Sequence, residues 1–529
     1  MYRVLITGAI HPTGVKQLQA ESDLQVDFRP DIPLSEILSM ISSYHCLIVR
    51  SETPVHRELI DAATELKVIA VAAVGVANVD VDYATQKGIL VVNTPGKNTN
   101  SAAELSFALL LAAMRKIVTA DANMRKLGWD RHRFTGPELM HKTIGIVGLG
   151  NVGHRMARFC LGFYMRVIAY DPYIPDETFA RHRVEKVDWD TLVRESDIIS
   201  LHVPKTRETI GMIKAETIAA MKKGVVLVNA ARGGIIEERA FLDALRSGHV
   251  AAAGIDTWPT EPPKENPFAE FSQVVMTPHI GASTPEAQER VAQAIAEQVP
   301  RALRGGIVDY PVNMPQIRML EGDTMTAYTV LCEKLGLFSA QYMNFSPTNL
   351  EISLRGDIAG NDCTLLRLAF LKGYLKWSHA FVSYVNADQR AQSVGLAVTM
   401  RDVLDFKGYQ SAIKFVFSNG QEQFSIGGVV FSGPHPRIAL VDEFPFEIEP
   451  EGTFLAIGSR DRLGVVSAIA SVLDRNRIQI SNFEFSHNDD KKRSMFLIRV
   501  GGKKGVSDEV LNELAEQEHI TLVRKIEMQ

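Results

Sequence analysis

The run KTIGIVGLGNVG at 142–153 constrains this chain more than any other stretch. Apolar residues Ile144, Ile146 and Val147 break into Gly148-Leu149-Gly150-Asn151-Val152-Gly153, and a helix-like segment follows at 154–161. This reads as strand, glycine turn, helix. Gly148 permits the tight turn, Gly150 lets the backbone approach a pyrophosphate, and Gly153 lets the helix pack on the strand. The bare helix N-terminus then faces the phosphates. Three glycines in a loop also occur in ordinary strand-to-helix turns. Here, however, a second strand at 166–170 ends in Asp171, an acidic residue about 20 positions after the glycines, where a carboxylate accepts ribose hydroxyls and repels an extra phosphate. The pattern predicts an NAD-type dinucleotide site.

At 529 residues the chain is too long for one core and implies roughly three or four domains. With 62 acidic against 57 basic side chains and no basic run, nucleic acid is excluded as an expected partner. Cys46, Cys160, Cys332 and Cys363 lie scattered without metal spacing, so the expectation is no metal, a reducing compartment and cytoplasmic residence. The N-terminal MYRVLITGAI enters a strand pattern directly, so no targeting segment is expected. The longest apolar helix candidate, 102–114, is shorter than the roughly 20 residues that span a bilayer, so no membrane association is expected.

Up to about residue 95, apolar runs RVLIT, CLIVR, KVIAVAAV and ILVVN alternate with helical stretches at 13–20, 34–42 and 58–63, which implies parallel βα units. The block from about 99 to 281 opens with an apolar helix at 102–116, suited to burial between domains or subunits. Strand runs at 197–203, 224–229, 251–255 and 274–276 follow the fingerprint and predict a doubly wound sheet with ligand loops at the strand ends. A helix at 285–303 then leads back to the first block, making the first domain discontinuous. Residues 316–449 carry no catalytic motif, only mixed patterning: strands at 350–354 and 412–417 and a helix at 363–375. From 453 onward the order is βαββαβ, a ferredoxin-like unit.

Three residues fall just past strands of the second block: Arg232, Glu261 and His279. Oxidising a 2-hydroxy acid with NAD needs a base for the hydroxyl proton, a cation for the carboxylate and a group that tunes the base. Imidazole titrates near the working pH, a guanidinium grips a carboxylate through a planar fork, and a carboxylate beside an imidazole favours imidazolium. Each alone reads as readily as a loop-capping polar residue. Their joint position beside a fingerprint points to a site.

The 148–153 turn, Asp171, the NAARGG run from Asn229, Asp256 with Glu261-Pro262-Pro263, and Pro278-His279-Ile280-Gly281-Ala282 together resemble the D-isomer-specific 2-hydroxyacid dehydrogenases. The overlap covers about residues 3–315. The full length, with VNMP at 312–315, a middle block and a C-terminal ACT-like unit, resembles the long-form D-3-phosphoglycerate dehydrogenase branch. The resemblance implies an α/β fold of two Rossmann-like domains. A discontinuous substrate domain (1–98 and 284–315) surrounds an inserted NAD-binding domain (99–283), followed by a mixed α/β intervening domain (316–449) and an ACT-like regulatory domain (452–529). It implies Arg232, Glu261 and His279 as catalytic residues. NAD contacts are implied for Gly148, Gly150, Asn151, Val152, Gly153, Asp171, Val203, Ala230, Asp256, His279, Gly281 and Ala282, and substrate contacts for Arg50, Ser51, Val74, Gly75, Asn98 and Arg232. It further implies a homodimer or homotetramer, with Trp129 reaching across an interface built largely from 102–116, and an amino-acid effector at the ACT-like unit.

The chain also departs from that pattern. Val71 stands where the branch carries an arginine, Ala73 replaces a glycine and Ala77 an aspartate. Valine cannot supply the cation that such an arginine would offer a phosphate. The resemblance thus implies oxidation of 3-phospho-D-glycerate, the first step of serine biosynthesis, and the departures imply weaker binding than the full pattern would give. A dehydrogenase for another small 2-hydroxy acid, and an NAD-binding regulatory or amino-acid-sensing protein, are the alternatives. In the ACT-like unit, Asp461-Arg462-Leu463-Gly464 and Gln479 replace the family's effector loop and its second Asn.

Overall fold

The computed structural model describes residues 1–306, 308–314, 323–359, 363–401, 408–431, 434–501 and 505–528. Pro315, the last residue of VNMP, and the expected boundary at 315/316 lie outside them. The first sheet holds β1 (Tyr2–Ile6), β2 (Leu24–Phe28), β3 (Cys46–Val49), β4 (Val68–Val71) and β5 (Leu90–Val92), all parallel, in the order β2-β1-β3-β4-β5. Strand β2 and the short helix Val81–Gln86 escaped the pattern reading, because LQVDF and VDYATQ mix polar and apolar residues with neither period clear.

The second sheet comprises β6 (Thr143–Val147), β7 (Arg166–Tyr170), β8 (Glu185–Lys186), β9 (Ile198–Leu201), β10 (Val225–Asn229), β11 (Val250–Ile255) and β12 (Val274–Met276). Its order is β12-β11-β10-β9-β6-β7-β8, parallel throughout, so the chain reverses direction between β6 and β9. Ligand loops gather at the carboxyl ends of such a switch point. The apolar helix runs Thr99–Met114 and buries Leu109, Leu110, Ala113 and Met114. A Cβ on Gly254 of β11 would lie 2.7 Å from Leu109 Cβ, so glycine there lets helix and sheet meet closely.

Helix Pro285–Leu303 returns to the first sheet. Its Ala292, Ile295, Ala296, Val299 and Leu303 share one core with Val4, Ile6, Val15 and Leu18.

Six strands form the third sheet: β13 (Asn349–Arg355), β14 (Ala397–Arg401), β15 (Ala412–Ser418), β16 (Gln423–Phe431), β17 (His435–Val441) and β18 (Phe444–Ile448), backed by helices Asp323–Tyr342 and Thr364–Lys376. The fourth sheet, β19 (Thr453–Arg460), β20 (Gln479–Asn488), β21 (Arg493–Gly501) and β22 (Ile520–Glu527), is antiparallel with order β20-β21-β19-β22, the ferredoxin-like arrangement. Its first helix runs Val465–Arg475, and Leu463 before it is fully exposed. One face of this sheet is covered by its own helices. The other enters the intervening core, where Phe454, Leu497, Ile526 and Met528 join Leu331, Leu335 and Phe338. Gln341 adds two hydrogen bonds to the Glu527 backbone, at 3.0 and 2.9 Å. The two C-terminal units thus share one apolar core. No helix among the described residues is long and apolar enough to cross a membrane.

Candidate active site

The glycine turn is built as its sequence demands. Gly148 has φ +88°, and a Cβ there would lie 2.8 Å from both His202 O and Val203 Cγ1, which places Val203 directly against the turn. A Cβ on Gly153 would fall 2.0 Å from Gly148 O, whereas one on Gly150 would meet nothing within 4 Å. The first cannot be substituted for packing reasons, and the second borders open space. Helix Gly153–Gly162 has no capping side chain at its N-terminus, so the orphan N–H groups beside Asn151 and Val152 are available to an anion. Asp171 Oδ2 accepts from Leu149 N at 2.9 Å and Oδ1 from Tyr173 N at 3.0 Å. The carboxylate is thereby pinned beside the turn with lone pairs to spare. An open cradle, an uncapped helix and a carboxylate at the second strand's end fit a dinucleotide.

At the end of β12 the chain turns through His279, which holds φ +53°, a left-handed conformation that costs a non-glycine residue about 1–3 kcal/mol. Asp256 sustains it. This wholly buried carboxylate accepts from Thr277 Oγ1 at 2.6 Å, Ile280 N at 2.8 Å and Gly281 N at 3.0 Å. Gly281 sits between Asp256 and the Ala102 backbone, and exposed Ala282 follows. Asp256 therefore faces the loop's backbone, and it acts on the site by shaping that loop.

His279 Nδ1 lies 2.6 Å from Glu261 Oε2, and Glu261 Oε1 accepts from Trp258 N at 3.0 Å. A carboxylate can only accept, so Nδ1 carries the hydrogen and Nε2 is left as the lone-pair nitrogen. The pair is partly exposed, 43% for His279 and 38% for Glu261, which leaves it open to a ligand.

Arg232 stands in the turn after β10, beyond Ala230. Buried Asn229 clamps that turn by donating to Arg232 O at 3.0 Å and accepting from Ala231 N at 3.2 Å. Arg232 Nη1 donates to Ala231 O at 2.7 Å, and a Cβ on Gly75 would begin 3.6 Å from Nη2. The guanidinium thus faces the first domain's 74–75 loop across the cleft. Gly233 lets this turn lie against the Trp258 carbonyl, where a Cβ would fall at 1.9 Å.

In the first domain, Arg50 Nη1 donates to Ala9 O at 3.1 Å, and Nε lies 3.9 Å from Glu52. Asn78 ties the 50–53 loop in place, donating to Arg50 O at 3.0 Å and Thr53 O at 2.7 Å. Asn93 similarly holds Val74 O at 2.7 Å. Ser51 is exposed, and half-buried Asn98 precedes helix Thr99–Met114. Asn78, Asn93 and Asn229 were not singled out from sequence. Their signal was present, since Asn beside glycine or at a strand end commonly ties a turn by side-chain hydrogen bonds.

Val71 supplies no cation, and it packs inward. Its side chain is wholly buried in a core with Val49, Val55, Ile69 and Val79, on the face covered by helix Arg57–Ala62. Position 71 is a packing position here, and a valine fills it. Among the described residues no cluster of His, Cys, Asp and Glu could hold a metal ion.

Comparison with known proteins matches two family models: "D-isomer specific 2-hydroxyacid dehydrogenase, NAD binding domain" over residues 107–281 and "D-3-phosphoglycerate dehydrogenase intervening domain" over 324–442. The chain is 37% identical to the D-3-phosphoglycerate dehydrogenase of Methanocaldococcus jannaschii, with 100% of both chains covered. It is 38% identical to that of Mycobacterium leprae over 94% of each. A solved D-lactate dehydrogenase from Aquifex aeolicus, complexed with NAD and lactic acid, is 28% identical with a TM-score of 0.53, covering 59% of this chain and 99% of that one.

Proposed function

The chain belongs to the D-3-phosphoglycerate dehydrogenase branch of the D-isomer-specific 2-hydroxyacid dehydrogenases, and from that membership we propose that it oxidises 3-phospho-D-glycerate to 3-phosphooxypyruvate with NAD, opening serine biosynthesis. The observation that carries the chemistry is the 2.6 Å contact between His279 and Glu261 beside an uncapped dinucleotide cradle. His279 Nε2 takes the proton of the C2 hydroxyl, and Glu261 balances the imidazolium that results. Arg232 holds the substrate carboxylate through the guanidinium edge not used on Ala231. Arg50 is the cation for the phosphate. When bound, NAD supplies the acceptor for the C2 hydride, and C2 becomes a carbonyl. Residues 148–153 hold its pyrophosphate and Asp171 its adenosine ribose. Val203, Ala230, Gly281 and Ala282 line the rest, while Asp256 positions the 277–281 loop.

The domain division 1–98 with 284–315, 99–283, 316–449 and 452–529 is part of this reading, as is a cytoplasmic enzyme. Ile117, Val118, Leu127 and Trp129, within and just after helix Ile117–Met124, are exposed, Trp129 to 75%, and are the apolar residues that a second copy would cover. A homodimer or a homotetramer built on them follows. An amino acid at the ACT-like unit is the proposed effector class.

The purified chain, given NAD and a panel of 3-phosphoglycerate, glycerate, lactate and glycolate in their D forms where chiral, tests the assignment by NADH formation. The phosphorylated acid is expected to show the highest kcat/KM. Preference for a phosphate-free acid would replace the substrate but keep the reaction class.

A further inference from the structure

The intervening domain touches the first domain at one end of helix Val81–Gln86. The last carbonyls of a helix lack intrahelical donors, and here a neighbouring domain supplies them. Ser383 Oγ donates to Gly88 O at 2.8 Å, and Gln86 O receives Arg390 Nη2 at 3.3 Å and Asn386 Nδ2 at 3.4 Å. Asn386 is 1% exposed and is itself fixed by Ser383 N at 2.9 Å and Phe381 O at 2.8 Å. Gly88, with φ +74°, allows the approach, since a Cβ there would sit 2.4 Å from Phe381 O.

The other end of the same helix carries the substrate loops. Asp80 caps it, accepting from Tyr83 N at 3.0 Å, and the preceding residue pair is stitched to Val55 by Val55 N to Asn78 O at 2.7 Å and Asp80 N to Val55 O at 3.0 Å. Asn78 then holds the Arg50 and Thr53 carbonyls, and the same loop presents Gly75 to Arg232. The six-residue helix is a rod of about 9 Å with the domain joint at one end and the cleft at the other. A cavity of about 600 Å³, lined by Ile60, Tyr83, Lys87, Phe381, Gln389 and Ser393, lies beside the joint. The intervening and ACT-like units share a core.

We propose that Ser383, Asn386 and Arg390 are positioning residues for the substrate site. By supplying donors to the Gln86 and Gly88 carbonyls they set where helix Val81–Gln86 stands, and with it the Arg50 and Gly75 loops. This rests on the substrate reading given above. It makes the intervening domain part of substrate binding and leaves the NAD cradle, built on the other sheet, untouched.

The test uses the full chain with Ser383→Ala combined with Arg390→Ala, and Arg390→Ala alone as a milder variant. Both positions are half-buried, and Ser383→Thr keeps the hydroxyl and serves as the rescue. The KM for 3-phosphoglycerate is expected to rise about 2- to 30-fold, the span of coupling through a hydrogen-bond network, with kcat and NADH affinity held and Ser383→Thr close to wild type. Hydrogen exchange should quicken in residues 74–90 and not in 142–172. Unchanged KM overturns the proposal, whether or not exchange at 74–90 quickens, and so does an equal loss of NADH affinity. If the wild-type chain oxidises a different acid, the substrate reading fails on its own, and the joint is judged with the acid it does oxidise and by the exchange data.

Discussion

Replacing Asp256 by Asn separates two ways in which this residue could serve the reaction. The resemblance makes it an NAD contact, whereas the structure spends its carboxylate on Thr277, Ile280 and Gly281. An Asn keeps one oxygen for the Thr277 and Ile280 donors but turns an N–H toward the Gly281 N–H. One charge-assisted hydrogen bond of about 1.5–3 kcal/mol is lost, and a buried donor is left without an acceptor. That loss is modest against the roughly 5–15 kcal/mol of a folded domain, so the protein still folds. It is comparable, however, to the cost of about 1–3 kcal/mol for holding His279 at φ +53°, so the loop relaxes and the imidazole moves. A displacement of about 1 Å at a reacting group can cost ~100-fold, and kcat is expected to fall about 10- to 100-fold, with a smaller loss of NAD affinity through Gly281 and Ala282. Steady-state kinetics varying NAD at saturating hydroxy acid, with NADH titration, reads both quantities. A normal kcat with a raised KM for NAD would refute the bracing role and restore the direct contact.

Other substitutions probe the remaining parts. Val71→Arg should destabilise the first domain, losing about 1.5–3 kcal/mol of apolar burial and desolvating a guanidinium, and should not lower the KM for the phosphorylated acid. Thermal unfolding and substrate kinetics decide it, and a stable variant with tighter binding would show that position 71 faces the cleft after all. Asp171→Asn should raise the kcat/KM for NADP relative to NAD, and an unchanged ratio would remove Asp171 from cofactor selection. Arg232→Lys should lower kcat/KM about 10- to 100-fold, because an ammonium cannot reproduce the planar fork that grips a carboxylate, whereas wild-type kinetics would deny Arg232 its grip on substrate.

Much of this was legible in the sequence because the strongest signals are local. The glycine turn, the Asp171 strand end and the βαββαβ order each occupy contiguous residues whose period or backbone demand leaves few alternatives. Side-chain direction was the part that could not be read. Val71 and the residues of the 74–75 loop are neighbours in sequence, yet the pleat sends Val71 into the helix-covered core while the chain beyond turns to the cleft. The partners of Asp256 were hidden for the same reason, since only the fold reveals that the His279 loop folds back over it. The braces Asn78 and Asn229 act across 25 and 3 residues, through Thr53 O and Arg232 O respectively, and the longer reach has no sequence periodicity to betray it. The shared core of the two C-terminal units depends on which face of the fourth sheet is unpartnered, and alternation marks both faces as apolar without naming what covers each.

The central claim, that His279 is the base of an NAD-dependent 2-hydroxy-acid oxidation, is tested most directly by NADH formation from 3-phosphoglycerate in His279→Ala compared with wild type, with NADH binding measured on the same samples. Turnover is expected to fall by about 10²- to 10⁴-fold, the usual contribution of a positioned acid–base group, while NADH binds as before. Turnover near wild type in a folded, NADH-binding His279→Ala protein would contradict it.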